Sequence, residues 1–216
     1  MGLLENLGNL FRVASELPGN LAREPFLQEL ENRERQGTIY TKEKEVVMAR
    51  FDLYAPLLKK LEGGYVDHPL DKGGPTNCGV TLKAFQAAFG KDKTPADLKA
   101  MTDSQWTQIM KKNYWDVIGG DYIENQSVAE IFCDWAINSG VSIISKVQSI
   151  LGVSVDGKVG KLTLGAINSH RQKCLHCQIW DARKAFYERI VASNPSQKVF
   201  LKGWMNRLAN FVYDGK

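Results

Sequence analysis

The residue best placed to do chemistry in this sequence is Glu62, at the end of a predicted helix. Apolar residues three and four apart predict an amphipathic helix up to Leu61, and Gly63-Gly64 ends it. A helix end presents free carbonyls and partial negative charge, which disfavour an ionised carboxylate beside them. We therefore expect Glu62 to keep its proton and to donate it to a leaving oxygen, as cleavage of a glycosidic bond requires. The alternative is a solvated surface glutamate.

The loop that follows Glu62 contains the candidates for a second catalytic group. It is rich in glycine, proline, aspartate and asparagine, and long loops in compact domains are often functional. Asp71 or Asp67 could supply a carboxylate and Thr76 a hydroxyl that positions a water or stabilises positive charge on a sugar ring. Asn77 is a candidate for substrate binding. The alternative for each aspartate is the capping of a turn.

Helix start signals follow the loop and predict the elements that must position it. Thr81, Thr94 and Thr102 each precede a helical pattern, and Thr102 has a glutamine three residues later, which makes a capping box. Alternating strand patterns are scarce, with short strands expected at most at Tyr65-Val66 and at 153–155. The predicted fold class is all-α with at most short strands.

A second group of polar and aromatic residues could contact a substrate. Asp134 and Asn138 are four residues apart and share one face of a predicted helix. Asn138 and Ser139 could hydrogen-bond an acetamido group, or they could fix the glycine loop in place. Tyr65 and Trp115 could offer aromatic faces to sugar rings, although aromatic residues at helical spacing are more often core.

Composition and charge exclude several classes of protein. The 216 residues are 44% hydrophobic and 24% charged, which is typical of a globular protein and excludes a disordered tail or a fibre. The net charge of +4 comes from scattered lysines and arginines, so we expect no nucleic-acid partner. No apolar stretch approaches the length of a membrane span, and we expect no integral membrane association.

The cysteines give no strong metal signal. Cys174 and Cys177 form a C-x-x-C pair with histidines nearby, but no second ligand pair follows at a suitable spacing. We therefore expect helix-borne thiols and no metal or cofactor. A zinc-linked regulatory protein is the alternative, and it would require stoichiometric metal in the purified protein.

Five motifs in order resemble one known family. They are Glu62-Gly63-Gly64-Tyr65, the segment DKGGPTNCGVT at 71–81, Tyr114-Trp115, FCDWAINSG at 132–140 and VDGKVG at 155–160. Together they resemble the phage-type muramidases of glycoside hydrolase family 108, which are often labelled secretion activators. The similarity runs from about residue 50 to residue 213.

The resemblance implies a lysozyme-like helical fold that hydrolyses the glycan strand of peptidoglycan after N-acetylmuramic acid. It implies that Glu62 is the catalytic glutamate, that the partner is peptidoglycan, and that the chain acts as an endolysin or assists secretion. A water, or less favourably Asp71, would attack the anomeric carbon. A non-catalytic module that binds the cell wall or assists secretion is the alternative.

The resemblance and the helical pattern together predict three regions. Residues 1–45 form a helical extension, residues 46–140 a lysozyme-like muramidase region, and residues 141–216 a helical region that resembles a peptidoglycan-binding segment. The start of the chain lacks a basic leader, so we expect synthesis in the bacterial cytoplasm without a signal peptide and action on the wall after release. The oligomeric state stays open.

Overall fold

The computed structural model describes Gln28, residues 47–67 and residues 74–215. The predicted extension at 1–45, Gln28 apart, and the candidate Asp71 lie outside these described residues. All statements below concern the described part of the chain.

Nine α-helices account for most of the described residues, which confirms the predicted fold class. They are α1 (Phe51–Glu62), α2 (Leu82–Phe89), α3 (Pro95–Lys99), α4 (Asp103–Met110), α5 (Gln126–Ser139), α6 (Ile144–Leu151), α7 (Lys161–Ser169), α8 (Gln172–Ser193) and α9 (Lys198–Leu208). A π-helical turn at Lys111–Trp115 follows α4, and short 3₁₀ turns lie at Gly120–Tyr122, Val141–Ile143 and Pro195–Gln197. None of these helices is long and apolar enough to cross a bilayer.

Side-chain caps start three consecutive helices, α2, α3 and α4. Thr81 accepts from the backbone N–H of Ala84, and Thr94 and Thr102 form capping boxes with Asp97 and Gln105. These three caps confirm the sequence prediction. Each one satisfies free N–H groups in the first turn of its helix, which fixes where α2, α3 and α4 begin.

Helix α1 is fixed by one apolar stripe. Phe51, Tyr54 and Leu58 are almost fully buried, and the ring of Phe51 meets the ring of Trp115 at a centroid distance of 5.6 Å. The helix continues through Pro56 without interruption. This stripe determines how α1 lies on the core, and so where its last residue, Glu62, is presented.

A small antiparallel sheet follows α1 and brings the turn at Cys78-Gly79 back to the end of that helix. Its strands are β1 (Tyr65–Val66), β2 (Thr76–Asn77) and β3 (Val80–Thr81), in that order. Tyr65 pairs with Asn77, and Asn77 pairs with Val80. The turn between β2 and β3 places Cys78 and Gly79 at positive φ, of 46° and 76°. The short strand at Tyr65-Val66 is confirmed.

The second predicted strand, at 153–155, is wrong, because a buried glutamine organises this segment as a turn. The side chain of Gln148 donates to Asp156 at 2.7 Å and to the carbonyl of Lys158 at 3.0 Å. Its amide oxygen accepts from the N–H of Gly157 at 2.8 Å. These bonds fix the segment between α6 and α7 as a turn. Residues 153–155 therefore do not pair with another strand among the described residues.

Candidate active site

Glu62 lies at the C-terminal end of α1, as the sequence predicts. Gly63 follows it at a φ of 74°, a left-handed conformation that glycine adopts without strain and that ends the helix. The side chain of Glu62 is 13% exposed, so the carboxylate is mostly buried but still reaches the surface. This placement suits a group that must both contact a bound molecule and be shielded from bulk water.

The turn between β2 and β3 packs directly on the Glu62 carboxylate. A Cβ atom added at Gly79 would overlap Oε2 of Glu62 and would lie 2.9 Å from its Cδ. Only a glycine therefore allows the backbone to approach this close. The turn at Cys78-Gly79 thus builds one wall of the candidate site, a role that no sequence pattern assigned to Gly79.

Arg207, from the last turn of α9, forms an ion pair with Glu62. Its Nη2 atom lies 2.5 Å from Oε1 of Glu62. The same guanidinium binds Asp134, with Nη2 at 2.7 Å from Oδ1 and Nε at 2.9 Å from Oδ2. Glu62 in the motif region and Asp134 in α5 are therefore joined by one cation from the C-terminal region.

Asp134 is the centre of a buried charge cluster. It is 0% exposed and accepts a hydrogen bond from the Tyr54 hydroxyl at 2.8 Å. Arg183, also 0% exposed, donates to it from Nη2 at 2.6 Å. Two carboxylates, Glu62 and Asp134, therefore face two guanidinium groups, and the cluster is balanced in charge. Such balance is what allows charges to be buried at all.

The pKa values in the cluster follow from burial and from these partners. Burial alone raises the pKa of Asp134, but the hydrogen bonds and charges of Arg207 and Arg183 outweigh it, so the pKa lies below its ordinary value. Burial, followed by the charge of Asp134, raises the pKa of Tyr54 well above its usual range. Asp134 is thus an anion that fixes the two arginines.

The cluster adds a cation to the surroundings of Glu62. Besides the carbonyls at the end of α1, its carboxylate meets the guanidinium of Arg207. No sequence pattern pointed to this cation, because Arg207 lies 145 residues further along the chain. Tyr114 is also close enough to feel Glu62, since burial and then the charge of Glu62 raise the pKa of its phenol.

Two residues predicted to bind substrate are too buried to do so. Trp115 is 0% exposed, donates from Nε1 to Asp121 at 2.6 Å and packs between core aromatics. Asp134 is 0% exposed and is occupied by its ion pairs. Both assignments are corrected, because neither side chain presents a surface to a glycan.

Asn77 is also occupied by the fold. It is 9% exposed, and its Nδ2 atom donates to the carbonyl of Leu98 at 2.8 Å and to that of Lys99 at 3.3 Å. These bonds attach the β2–β3 hairpin to α3. Asn77 therefore positions the hairpin that packs on Glu62, and its amide is not free for the substrate contact predicted for it.

The remaining candidates stay accessible. Tyr65 is half-buried, donates to Asp67 at 3.1 Å and has the ammonium of Lys99 5.5 Å from its ring centre. Thr76 is half-buried on β2. Asn138 is half-buried at the end of α5, where it accepts a hydrogen bond from the hydroxyl of Tyr187 at 2.6 Å. Asp71 lies outside the described residues.

The C-x-x-C pair does not form part of a metal cluster in the described residues. Cys174 and Cys177 are exposed free thiols on α8. No group of three or more histidine, cysteine, aspartate or glutamate side chains within 47–67 and 74–215 is arranged to hold a metal ion.

Comparison with known proteins defines the class to which this fold and site belong. A family model described as glycosyl hydrolase 108 matches residues 56–140, and one described as "Predicted Peptidoglycan domain" matches residues 142–209. The solved structure titled "Structure of Brucella abortus SagA" is 33% identical and has a TM-score of 0.63. The match covers 75% of this chain and 92% of that chain. No curated protein matches.

The chain therefore belongs to glycosyl hydrolase family 108 and carries a peptidoglycan-binding segment. This finding confirms the family resemblance of the five sequence motifs. It supports a glycosidase of peptidoglycan, with both Glu62 and the hairpin that packs on it inside the glycosyl hydrolase match.

Proposed function

We propose that this protein is an N-acetylmuramidase that hydrolyses the glycan strand of peptidoglycan after N-acetylmuramic acid. The observation that supports it is the placement of Glu62, partly buried at a helix end and set against the backbone of Gly79. That geometry lets a single carboxyl face a bound strand while the surrounding protein excludes water. The bond that is cut follows from the sequence resemblance.

In the proposed reaction, Glu62 donates its proton to the glycosidic oxygen of the leaving sugar. The carboxyl must first be protonated, so a bound glycan must weaken the contact between Glu62 and Arg207. Asp134, which is itself paired with Arg183, holds Arg207 from its other side. A water completes the hydrolysis, and Thr76 and Asp71 remain the candidates for the group that orients it.

A non-catalytic module that binds the wall or assists secretion is the second candidate. The observation in its favour is the ion pair with Arg207, which ties the Glu62 side chain into the buried cluster. In such a protein Glu62 would be a structural member of the buried cluster. We propose the same place of action for either candidate, namely the cell wall after release from the cytoplasm.

Analysis of the products from purified peptidoglycan tests the proposal. The wild-type protein should release fragments that carry new reducing ends, and borohydride reduction should convert those ends to muramitol, detected by mass spectrometry. No new free amino groups should form, because the peptide bonds stay intact. Undigested peptidoglycan, or reduced ends of N-acetylglucosamine, would contradict the proposed activity.

Gly79→Ala should reduce activity more than its effect on stability explains. Alanine at positive φ costs about 1–2 kcal/mol of folding free energy, and the new Cβ would also displace the Glu62 carboxylate. Gly152→Ala is the matched control, since its φ is 68° and a Cβ there meets no atom of the described residues within 4 Å.

Chemical denaturation and the rate of wall clearing should be measured for both variants. Similar losses of stability are expected, with a large loss of activity only in Gly79→Ala. Equal activities would show that the close approach of Gly79 to Glu62 has no functional role.

A further inference from the structure

A small pocket lies where the end of α5 meets α8 and α9. Its volume is about 180 Å³, and it is lined by Asn138, Ser139, Phe186, Tyr187, Ile190 and Trp204. It is too small for a whole oligosaccharide but has room for one substituent of a sugar. One part of its wall is aromatic, and the other carries an amide and a hydroxyl.

The aromatic wall is preformed by ring stacking. Trp204 stacks on Tyr187 with ring centres 5.2 Å apart and planes at 25°, and on Phe200 with centres 6.0 Å apart and planes at 29°. Phe186 packs edge-on against the buried Trp135 at 5.9 Å. Because each ring is held by another, a ligand that enters this pocket does not have to order its wall.

The polar wall has a defined donor. The hydroxyl of Tyr187 accepts a hydrogen bond from Nε of Arg183 at 2.7 Å, so its own hydrogen points to Oδ1 of Asn138, at 2.6 Å. This hydrogen bond to Oδ1 orients the amide of Asn138, so its Nδ2 group is available as a donor. Among the described residues, that group donates no hydrogen bond in the structure.

The pocket is a neighbour of the Glu62 site. Asn138 lies one helical turn after Asp134 on α5, and Trp204 lies about one turn before Arg207 on α9. Arg207 contacts both Asp134 and Glu62. One turn of helix is about 5.4 Å, roughly the length of one sugar ring. The pocket residues Asn138 and Trp204 therefore each lie about one helical turn from a member of the ion cluster that includes Glu62.

We propose that the pocket binds the acetamido group of an N-acetylated sugar in the strand. The acetamido carbonyl accepts from Nδ2 of Asn138, and its methyl group packs against the edge of Trp204. A sugar hydroxyl at the same ring position is too short to reach Nδ2 of Asn138 and has no methyl group to pack against Trp204. The inference rests on the proposed function. It assigns one sugar position of the bound strand, and the preference for an N-acetyl group at that position, to residues from both family matches, 56–140 and 142–209.

The test compares two tetrasaccharides that share a β-1,4 backbone. Calorimetry is carried out on the full chain carrying Glu62→Gln, which prevents turnover, with chitotetraose and with cellotetraose. Chitotetraose, which has the acetamido groups, should bind at least about tenfold more tightly. Equal affinities would overturn the assignment.

Substitutions then locate the specificity in the pocket. Asn138→Asp keeps the acceptor for Tyr187 but replaces the Nδ2 donor by an oxygen of the same size, and it should weaken chitotetraose binding about tenfold. Trp204→Ala should weaken it similarly, and Trp204→Phe should bind better than Trp204→Ala. Tyr122→Ala removes an aromatic ring that is 65% exposed and does not line the pocket, and it should bind as the parent does.

The outcomes separate this inference from the proposed function. Hydrolysis by the wild-type protein with unchanged affinity in Asn138→Asp and Trp204→Ala would overturn the pocket alone. Pocket-dependent binding without hydrolysis would overturn the muramidase and leave the pocket standing. If a muramoyl stem peptide depends on Trp204 and chitotetraose does not, the occupant is the peptide and the acetamido assignment is wrong.

Discussion

Glu62→Gln is expected to lower the rate of peptidoglycan hydrolysis by about 10²–10⁴-fold, the range for loss of a positioned general acid. Glutamine has the same size and can still accept a hydrogen bond from Arg207, but it has no acidic proton to give. The folded structure should persist, with the free energy of unfolding changed by no more than about 1–2 kcal/mol. Clearing of purified walls and chemical denaturation measure the two quantities.

The control for this substitution is Glu124→Gln, which changes an exposed glutamate outside the site. It should clear walls at the wild-type rate. If Glu62→Gln also clears walls at that rate, Glu62 belongs only to the buried ion cluster, and the non-catalytic alternative gains support.

The largest expected effect on stability comes from Asp134→Asn. It should lower the free energy of unfolding by about 3–5 kcal/mol, because a buried arginine then loses its counter-ion. Arg183 is fully buried and Arg207 is 13% exposed, so water cannot replace the carboxylate around them. Asp52→Asn is the control, since Asp52 pairs with Arg50 at the surface, where both side chains are 62% exposed and a change of about 1 kcal/mol or less is expected.

The effect of Asp134→Asn should also depend on pH. The pKa of Asp134 lies below its ordinary value of 3.8 in the folded protein, so its stabilisation is present above pH 3.8 and is lost as pH falls through the lower folded value. The stability difference between wild type and variant should therefore shrink below that pH. A variant as stable as the wild type at pH 7 would show that the cluster contributes little to the fold.

The local parts of this fold could be predicted because they depend on neighbouring residues. Thr81, Thr94 and Thr102 signal helix starts because each directly precedes a helical pattern, and Gly63-Gly64 signals the end of α1. The resemblance then added the lysozyme-like class. The predicted strand at 153–155 failed because a single buried glutamine, Gln148, has no distinctive local pattern.

The charge cluster could not be predicted in detail because its members are far apart in sequence. A signal was nevertheless present, since Asp134 lies within an apolar helical pattern, and a buried carboxylate requires a cationic partner. That requirement argues for an ion pair and against the substrate contact predicted for Asp134. It does not say which arginine is the partner, and the contact of Arg207 with Glu62 follows only from the packing of α9.

The predicted sugar contact of Trp115 failed for a related reason. Helical spacing does not distinguish a ring that faces the core from one that faces a groove, and Trp115 proved to be core. Trp204, which lines the pocket, was not singled out by the sequence. Trp204 becomes part of the pocket wall only because α8 and α9 pack together and bring Tyr187 beside it.

The most direct test of proton donation by Glu62 compares two leaving groups. A dinitrophenyl glycoside of a muramic-acid oligosaccharide departs without protonation, whereas a sugar in the natural strand does not. We expect Glu62→Gln to be at least about 100-fold slower than the wild type on the natural strand and within about tenfold of it on the aryl glycoside. The same defect on both substrates would contradict the assignment of Glu62 as the acid.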